Sequence, residues 1–536
     1  MGAQESRKKS TAPCQEACPA GIDVPRYVRH IREGHFDQAL AVIRERIPFP
    51  FVCGYACVHP CETKCARIQY DQAVAIRMLK RVAAERGDGK PPIPIKRTRT
   101  GRKIAVIGSG PCGLTAAYYL NIQGHNVIVY EALPLAGGML RYGIPEYRLP
   151  EDIVDREIDR IAAGGVEVVT DAQVSSAESL LEKGFDAVFV ATGAWKPAKM
   201  GIPGENLDQI VDGLTFLTRV NEGNPPVIGR KVVVVGGGNT AVDAARAAVR
   251  LGAEVVQIYR RTRVEMPAGS EEISEAIEEG VGVEYLTAPV KIEKDQVTCI
   301  RMQLGDADTS GRRAPVPVAG SEYALGFDTL IMAIGQSADA ASLCLEGRKN
   351  GTVRVDQRNL ATPKRGIFAG GDAVSGPSTI IEAIAQGRLA CASIDRFLGG
   401  GGIVEPLSDE MNPEPPETRP PGAVRPDFRK ISLKKRRTTF DAVEQVYPKK
   451  EAIAEAARCM SCDLRDFDVT VNELICKDCG YCREVCSLGI FKQSEQFNPS
   501  GYKPAVAENT DKCIGCLRCL YICPDFAITI QDRIEV

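Results

Sequence analysis

The sequence has few histidines, no long apolar run and no excess of charge of either sign. Four histidines in 536 residues supply little for a zinc–histidine centre or a histidine-driven nucleophile. No stretch approaches the roughly 18 consecutive apolar residues that span a bilayer, and the first residues lack the apolar segment of a secretory signal. The 67 basic and 69 acidic side chains nearly cancel, which argues against a nucleic-acid binder. We therefore expect a cytoplasmic protein that binds neither membrane nor nucleic acid.

Cysteine is scarce in the middle of the chain and crowded towards both ends. Of the 20 cysteines, 16 lie within residues 14–65 and 459–523. In a reducing compartment such crowding indicates metal ligation rather than disulfides. The other four, which we expect to be small buried apolar residues, are Cys112, Cys299, Cys344 and Cys391.

The middle of the chain alternates β-rich runs with amphipathic helices, a pattern typical of parallel α/β domains. Its first glycine-rich turn, Gly108-Ser-Gly110-Pro-Cys-Gly113, follows a strand and precedes a helix, and the next strand ends at Glu131. Glycines at these positions let the backbone approach a pyrophosphate at the helix N-terminus, and the acid can bind a ribose hydroxyl. The pattern predicts a dinucleotide site at Gly108, Gly110, Gly113 and Glu131.

A second glycine-rich turn, Gly236-Gly-Gly238-Asn-Thr-Ala241, lies in the same strand and helix context. The two units have equal spacing, so Tyr259 takes the place of the acid, and two arginines follow it at once. Arginine suits a 2′-phosphate that a carboxylate would repel, which favours NADP over NAD. The alternative is that both arginines are ordinary surface charges. We predict nucleotide contacts at Gly236, Gly238, Asn239, Ala241, Arg260 and Arg261.

Two dinucleotide sites imply two dinucleotides, and a flavin can accept a hydride from a nicotinamide and then release electrons singly. Downstream, Gly371-Asp372 stands at the end of a strand, and Ala191-Thr192-Gly193 forms a short turn. With these motifs the core resembles the two-dinucleotide flavoprotein disulfide-reductase superfamily, in which such an aspartate binds FAD. The redox-active CxxxxC pair of the disulfide reductases is absent. We predict no catalytic side chain, because hydride transfer falls to the flavin N5.

A closer resemblance is to the small, or beta, subunit of NADPH-dependent glutamate synthase. Its hallmarks are the segments Gly137-Gly-Met-Leu-Arg-Tyr-Gly-Ile-Pro-Glu-Tyr-Arg-Leu-Pro150 and Tyr259-Arg-Arg-Thr-Arg-Val-Glu-Met-Pro-Ala268, and the likeness covers about residues 12–396. It implies an electron-input module rather than glutamate synthesis, because no synthase domain is evident. Further FAD contacts are expected at Gly138, Arg141, Thr192, Gly371 and Asp372.

That family typically carries eight cluster cysteines in one N-terminal domain, beginning with an ARCxxC pair. Here the N-terminal segment offers six, and an ARCxxC pair occurs instead beyond the middle of the chain. This order suggests that a C-terminal strap folds back to complete two 4Fe-4S sites. The alternative is one cluster with a structural zinc. The eight expected ligands are Cys14, Cys18, Cys53, Cys57, Cys61, Cys65, Cys459 and Cys462.

The last cysteines form two runs with the spacing of a bacterial dicluster ferredoxin, in which each fourth cysteine serves the other cluster. Ser487 stands where a proline is usual after the first run. The surroundings resemble the ferredoxin-type delta subunit of 2-oxoacid:acceptor oxidoreductases. The expected ligands are Cys476, Cys479, Cys482 and Cys486 of the first run, and Cys513, Cys516, Cys519 and Cys523 of the second.

We therefore predict an α/β protein with two Rossmann-like domains of the disulfide-reductase type, preceded by a helical Fe-S domain and followed by a dicluster ferredoxin domain. Residues 399–426 are rich in glycine and proline and are interpreted as a linker, and the basic run 430–437 as its solvated end. The predicted segments are 1–100 (Fe-S), 101–226 and 362–398 (FAD), 227–361 (NAD(P)), 399–437 (linker), 438–465 (strap) and 466–536 (ferredoxin).

The predicted function is electron transfer between NAD(P)(H), FAD and four 4Fe-4S clusters. The expected partners are the catalytic subunits of a thiamine-diphosphate 2-oxoacid oxidoreductase, in a hetero-oligomer. An electron-bifurcating transhydrogenase-type subunit and a glutamate-synthase-like small subunit use the same modules. A redox scaffold or sensor with vestigial nucleotide sites is an alternative of another class.

Overall fold

The computed structural model describes residues 11–87, 98–308, 311–402, 404, 424–464, 467–486 and 488–532. Most of the predicted linker, and Ser487, therefore lie outside the described residues. Among the residues within these ranges, no helix combines the length and the apolar character needed to cross a membrane.

Within residues 11–87 the N-terminal part holds six α-helices. Apolar residues at helical spacing in 22–47, interrupted by Gly34, predict two short helices there. The structure has α2 and α3 in that segment, each with one buried face, and Gly34 separates them at φ 82°. Four of these helices have proline in their first turn, where the missing N–H costs nothing. The helices are α1 (Pro13–Glu16), α2 (Val24–Arg32), α3 (Phe36–Arg44), α4 (Pro50–Ala56), α5 (Pro60–Thr63) and α6 (Ile76–Arg86).

The chain then enters a parallel sheet whose strands are short and almost wholly apolar, as expected of strands covered on both faces. Its first glycine-rich turn joins β1 to α7. The elements are β1 (Lys103–Ile107), α7 (Pro111–Ile122), β2 (Asn126–Tyr130), α8 (Met139–Tyr142), α9 (Glu151–Ala163), β3 (Glu167–Val169), α10 (Glu178–Glu182), β4 (Ala187–Val190) and β5 (Lys196–Pro197).

A second parallel sheet repeats this plan, with the second glycine-rich turn between β7 and α12. The order of its strands is β6-β14-β7-β8-β9, and β10 to β13 form a separate antiparallel sheet. The elements are β6 (Ile210–Asp212), α11 (Gly213–Asn221), β7 (Lys231–Val235), α12 (Asn239–Arg250), β8 (Glu254–Tyr259), α13 (Ser270–Glu278), β9 (Gly282–Tyr285), β10 (Thr287–Ile292), β11 (Gln296–Ala307), β12 (Arg313–Pro317), β13 (Tyr323–Gly326), β14 (Thr329–Met332) and β15 (Gln336–Ser337).

The chain returns to the first sheet through β16 (Ile367–Ala369), α14 (Asp372–Ser375) and α15 (Ile380–Phe397), which gives the order β16-β4-β1-β2-β3. Helix α15 packs on α7. Two of the predicted segment boundaries disagree with the strand pairing and packing of these sheets. Strand β6 pairs with β14 of the second sheet, although the FAD segment was predicted to run to 226, and buried residues from Ala340 to Leu360 join the core of the first sheet.

The C-terminal part begins with a strap that crosses the N-terminal helices, where α17 packs on α2 and α6. The tail follows as two small two-stranded sheets with a short helix within each cysteine run. The elements are β17 (Arg429–Lys430), α16 (Leu433–Arg436), β18 (Glu444–Gln445), α17 (Lys449–Ala456), β19 (Phe467–Val471), α18 (Tyr481–Val485), β20 (Phe491–Gln493), β21 (Ala505–Ala507), α19 (Arg518–Ile522) and β22 (Ile528–Asp532).

Two expectations about single segments are wrong. The basic run is not merely a solvated end, because Lys430 Nζ lies 2.6 Å from Glu275 and Arg436 lies 3.0 Å from Glu278 of α13. Acidic residues on one face of that helix give these cations local partners. Cys344 is exposed rather than buried, since it ends a short 3₁₀ turn with φ 58°, whereas Cys112, Cys299 and Cys391 are buried as predicted.

Candidate functional site

The first glycine-rich turn borders a cavity of about 520 Å³. A Cβ on Gly113 would lie 2.0 Å from the carbonyl oxygen of Gly108, and Gly108 itself has φ 102°, so both positions require glycine. Nothing lies within 4 Å of the place where a Cβ on Gly110 would stand. Gly110 is the N-cap of α7 and no side chain caps this helix, so its free N–H groups face the cavity, as a pyrophosphate requires.

Glu131 lies at the end of β2 on the wall of this cavity, with 6% of its surface exposed. Its Oε2 accepts hydrogen bonds from Ser109 N and Oγ, at 3.0 and 2.5 Å, and its Oε1 accepts one from Leu133 N at 2.9 Å. These bonds fix the carboxylate beside the turn, where it can bind a ribose hydroxyl.

Thr192, Gly371 and Asp372 also line this cavity. Gly371 N donates to Gln386 Oε1 at 2.7 Å, and Asp372 Oδ1 accepts from Ser378 N and Oγ at 3.1 and 2.7 Å. Burial raises the pKa of Asp372. An anchored, half-buried carboxyl beside an open glycine turn fits a polyhydroxyl chain, so these residues suit FAD.

Of the other two predicted FAD contacts, Gly138 lines the cavity and Arg141 does not. Gly138 lines the cavity at φ 53°, and a Cβ there would lie 3.0 Å from Gly110 Cα. Arg141 is not among the lining residues: its Nε donates to Ala136 O at 2.8 Å, and its Nη atoms pair with Glu151 and Asp155. The flavin contact of Arg141 stays a prediction, since the structure shows its guanidinium held by two carboxylates of α9.

Asn239 and Thr240 of the second glycine-rich turn line the same cavity, whereas Gly236 and Gly238 are not among its lining residues. Gly236 has φ 140°, and a Cβ there would lie 2.1 Å from Ala333 O. Gly238, the uncapped N-cap of α12, has nothing within 4 Å of an added Cβ, while Ala241 behind it is fully buried. The turn therefore presents free N–H groups to a second pyrophosphate.

Tyr259 fills the space that an acid occupies at the first turn. A Cβ on Gly237 would lie 2.5 Å from its ring, and its hydroxyl donates to Glu265 O at 2.8 Å. The next residue, Arg260, is exposed. Arg261 is 3% exposed, with Nε 2.7 Å from Arg313 O and Nη2 2.5 Å from Asp308 Oδ2. A phosphate-binding role therefore fits Arg260 alone, because an internal ion pair occupies Arg261.

The eight cysteines expected to hold the two N-terminal clusters separate into two groups. The first set is Cys18, Cys53, Cys57 and Cys61. Burial raises the pKa of both Cys53 and Cys61, and the thiols of Cys57 and Cys18 add to the effect at each. The second set is Cys14, Cys65, Cys459 and Cys462, which together line one small cavity. Each set offers four thiols, the donor set of a 4Fe-4S cluster.

The second set depends on the strap, which is held to the N-terminal helices by buried polar contacts. Both Nη atoms of Arg29 lie 2.8 Å from the carboxylate oxygens of Asp463, next to Cys462. Ala75 N donates to Glu455 Oε1 at 2.7 Å, and Arg458 Nη2 lies 2.9 Å from Asp71 Oδ1. Cysteines from the two ends of the chain, 394 to 448 positions apart, thus complete one ligand group.

The tail cysteines also form two groups, which we call the third and fourth sets. Each of these sets combines the first three cysteines of one run with the last cysteine of the other run. The fourth set, Cys476, Cys479, Cys482 and Cys523, lines one cavity. In the third set, Cys486, Cys513, Cys516 and Cys519, burial and the three other thiols raise the pKa of Cys519 to about 12. Backbone N–H groups donate to sulfur, from Ala505 to Cys476 at 3.4 Å and from Ala527 to Cys523 at 3.3 Å.

The structure also brings together groups that sequence reasoning missed. Tyr70 Oη donates to Cys516 O at 2.8 Å, and Ala66, Met460 and Ile514 form a buried apolar junction between the strap and the tail. At the other end, Ala56 and Val58, on either side of Cys57, line the nucleotide cavity. No local pattern marks these residues, since each is an ordinary apolar or aromatic side chain.

This fold and these sites define a two-dinucleotide flavoprotein joined to iron–sulfur modules. Residues 102–387, more than half of the chain, match the pyridine nucleotide-disulphide oxidoreductase family, and the chain belongs to it. Residues 3–90 match the dihydropyrimidine dehydrogenase domain II, 4Fe-4S cluster, and residues 475–532 match a 4Fe-4S dicluster domain. The predicted fold class is confirmed. The chain is an oxidoreductase that binds FAD, NADP and 4Fe-4S clusters.

Three proteins of known name have sequences similar to that of this chain. The chain is 41% identical over 498 residues to the NADP(+)-dependent formate dehydrogenase subunit beta of Moorella thermoacetica, covering 84% of this chain and 70% of that protein. It is 42% identical over 434 residues to the NADPH-Fe(3+) oxidoreductase subunit beta of Geobacter sulfurreducens, covering 73% and 64%. It is 35% identical over 415 residues to the glutamate synthase [NADPH] small chain of Azospirillum brasilense, covering 72% and 86%. The predicted resemblance to the glutamate synthase small subunit is confirmed.

Proposed function

We propose that this chain is the NADP(H)-linked electron-transfer subunit of a larger redox enzyme, with its nucleotide site and its partner site at opposite ends of one series. The turns at Gly110 and Gly238 would hold the two pyrophosphates, Glu131 and Asp372 the flavin side, and Arg260 the 2′-phosphate. The four cysteine sets would each hold a 4Fe-4S cluster. When bound, FAD exchanges a hydride with nicotinamide, and the clusters carry single electrons.

The proposal rests on one observation: the nucleotide cavity and the four cysteine sets adjoin one another in a continuous series. Ala56 and Val58 connect the cavity to the first set through Cys57. The first and second sets adjoin in the N-terminal part, because Cys18 closely follows Cys14, Cys65 closely follows Cys61, and α1 packs on α5. The second set reaches the third through the junction of Met460 and Ile514, where Tyr70 binds the backbone of Cys516. The order supported is cavity, first set, second set, third set and fourth set.

The fourth set supports a partner at the far end. Cys479 is exposed, and Leu474 and Phe526, close in sequence to its ligands, are 65% and 84% exposed. Exposed aromatic and aliphatic side chains around a redox site favour docking of another protein. The resemblance of the tail to a 2-oxoacid oxidoreductase delta subunit supports thiamine-diphosphate catalytic subunits as that partner. The 41% identity to a formate dehydrogenase subunit supports formate oxidation as the second candidate.

The test is to isolate the full chain with its co-purifying subunits, identify them, and measure NADP⁺ reduction driven by 2-oxoacid with coenzyme A or by formate. In the same complex, Cys479→Ser should stop substrate-driven NADP⁺ reduction and leave NADPH reduction of an artificial dye largely intact. Cys344→Ser is the matched control, because this exposed cysteine lies outside all four sets.

The outcomes separate the parts of the proposal. Reduction of NADP⁺ by formate alone would replace the 2-oxoacid partner and keep the electron path. Full substrate coupling in Cys479→Ser would show that electrons do not pass through the fourth set, and the proposed order would fail.

A further inference from the structure

Lys80 is a buried lysine within the N-terminal helices. It lies in the middle of α6, and only 2% of its surface is exposed. Helix α6 packs against α4 and α5, which carry Cys53 and Cys61 of the first set. Removing an ammonium from water costs several kcal/mol, so a buried lysine requires negative charge nearby.

No carboxylate supplies this charge among the described residues. The neighbouring cations of α6 are paired, Arg77 with Glu444 at 2.6 Å and Arg81 with Glu85 at 2.6 Å, but no salt bridge within the described ranges includes Lys80. Burial disfavours its charge, yet the sulfurs of Cys57, Cys53, Cys61 and Cys18 raise the pKa of Lys80 above its ordinary value. The counter-charge of Lys80 is therefore the first cysteine set.

Among the described residues the cations around the second set are paired with carboxylates, including Arg67, which lines the cavity of this set and lies 2.6 Å from Asp71. Arg29 lies close enough to affect Cys459, but both of its Nη atoms are bound to Asp463. Arg458 pairs with Asp71 at 2.9 Å and with Glu455 at 2.8 Å. Carboxylates pair with these cations beside the second set, whereas among the described residues no carboxylate forms a salt bridge with Lys80 beside the first set.

We propose that Lys80 raises the reduction potential of the 4Fe-4S cluster bound by the first set above that of the cluster bound by the second set. Reduction adds one electron and therefore one negative charge, which a buried cation stabilises more than it stabilises the oxidised cluster. The permanent charge of Lys80, rather than its titration, has this effect. Because the first set adjoins the nucleotide cavity, Lys80 would make the nearest cluster the better electron acceptor. This inference rests on the ligation given under the proposed function.

The test is an anaerobic redox titration of full-length protein, followed by electron paramagnetic resonance, for the parent, Lys80→Met and Lys80→Arg. At a fixed solution potential, Lys80→Met should lower the ratio of reduced to oxidised first-set cluster about tenfold, which for one electron is about 59 mV. Lys80→Arg keeps the charge and should keep the ratio. Arg81→Met is the matched control, since Glu85 already compensates that neighbouring charge.

Iron analysis of each protein distinguishes the possible failures. An unchanged ratio in Lys80→Met, with the cluster retained, would overturn the proposal. Lys80→Gln provides a second neutral variant; loss of the cluster in both neutral variants but not in Lys80→Arg would assign Lys80 to cluster assembly and reject the tuning role. A parent protein with about 12 rather than about 16 iron atoms and no first-set signal would instead refute the ligation under the proposed function.

Discussion

The buried pair of Arg29 and Asp463 should decide whether the strap completes the second cysteine set. Arg29 and Asp463 are 4% and 8% exposed, and two parallel hydrogen bonds of 2.8 Å join them. Asp463 follows Cys462 directly, so any displacement of its carboxylate also displaces a ligand. In Asp463→Asn the guanidinium stays buried but loses its counter-charge.

Removing one partner of a buried ion pair costs about 3–5 kcal/mol, which shifts the equilibrium between docked and released strap by roughly 10²- to 10⁴-fold. The exposed pair of Arg102 and Asp186, in which Arg102 is 50% exposed, provides the scale for a surface contact. Arg102→Met should cost no more than about 1 kcal/mol. The double variant Arg29→Met with Asp463→Leu removes both charges and should recover part of the loss.

The assay is the rate at which a mild chelator removes iron from anaerobic protein, together with the temperature at which cluster absorbance is lost. Asp463→Asn should release about four iron atoms first, the content of one cubane cluster, while both ferredoxin signals remain. If Asp463→Asn behaves like Arg102→Met, or loses iron first from the tail, the argument that this pair holds the strap is wrong.

Three further predictions concern the nucleotide turns and the cluster count. Arg260→Ala should weaken NADPH binding about tenfold or more and leave NADH binding unchanged in calorimetric titrations. Arg261→Ala should instead lower the stability of the protein and affect the binding of both nucleotides equally. Equal losses of NADPH and NADH affinity in Arg260→Ala would contradict this prediction. Gly113→Ala should abolish flavin absorbance, because its Cβ would lie 2.0 Å from a carbonyl oxygen, while Gly110→Ala should fold and bind FAD more weakly; retained flavin in Gly113→Ala would refute the steric argument. The parent protein should contain about 16 iron atoms per chain and Cys459→Ser about 12 with intact ferredoxin signals, and loss of those signals would argue against the strap.

The sequence by itself determined the class of this protein and its cofactors. Two kinds of motif carry this information: a glycine turn between a strand and a helix, and a cysteine run with two and three intervening residues. Each motif lies within a few positions of the chain, so the local backbone geometry decides which groups come together and the spacing indicates the ligand. The break at Gly34 and the two parallel sheets could be predicted for the same reason, because helical and strand periodicity are local properties.

Only the tertiary structure decided which of these local parts act together. Cys14 shares a cavity with Cys459, and Arg261 pairs with Asp308 while the adjacent Arg260 remains exposed. Lys80 has the sequence context of an ordinary helical lysine, yet it is buried beside four thiols. The effect of a charge depends on burial and on the sign of its neighbours, and both are set by contacts between distant segments that no local spacing encodes.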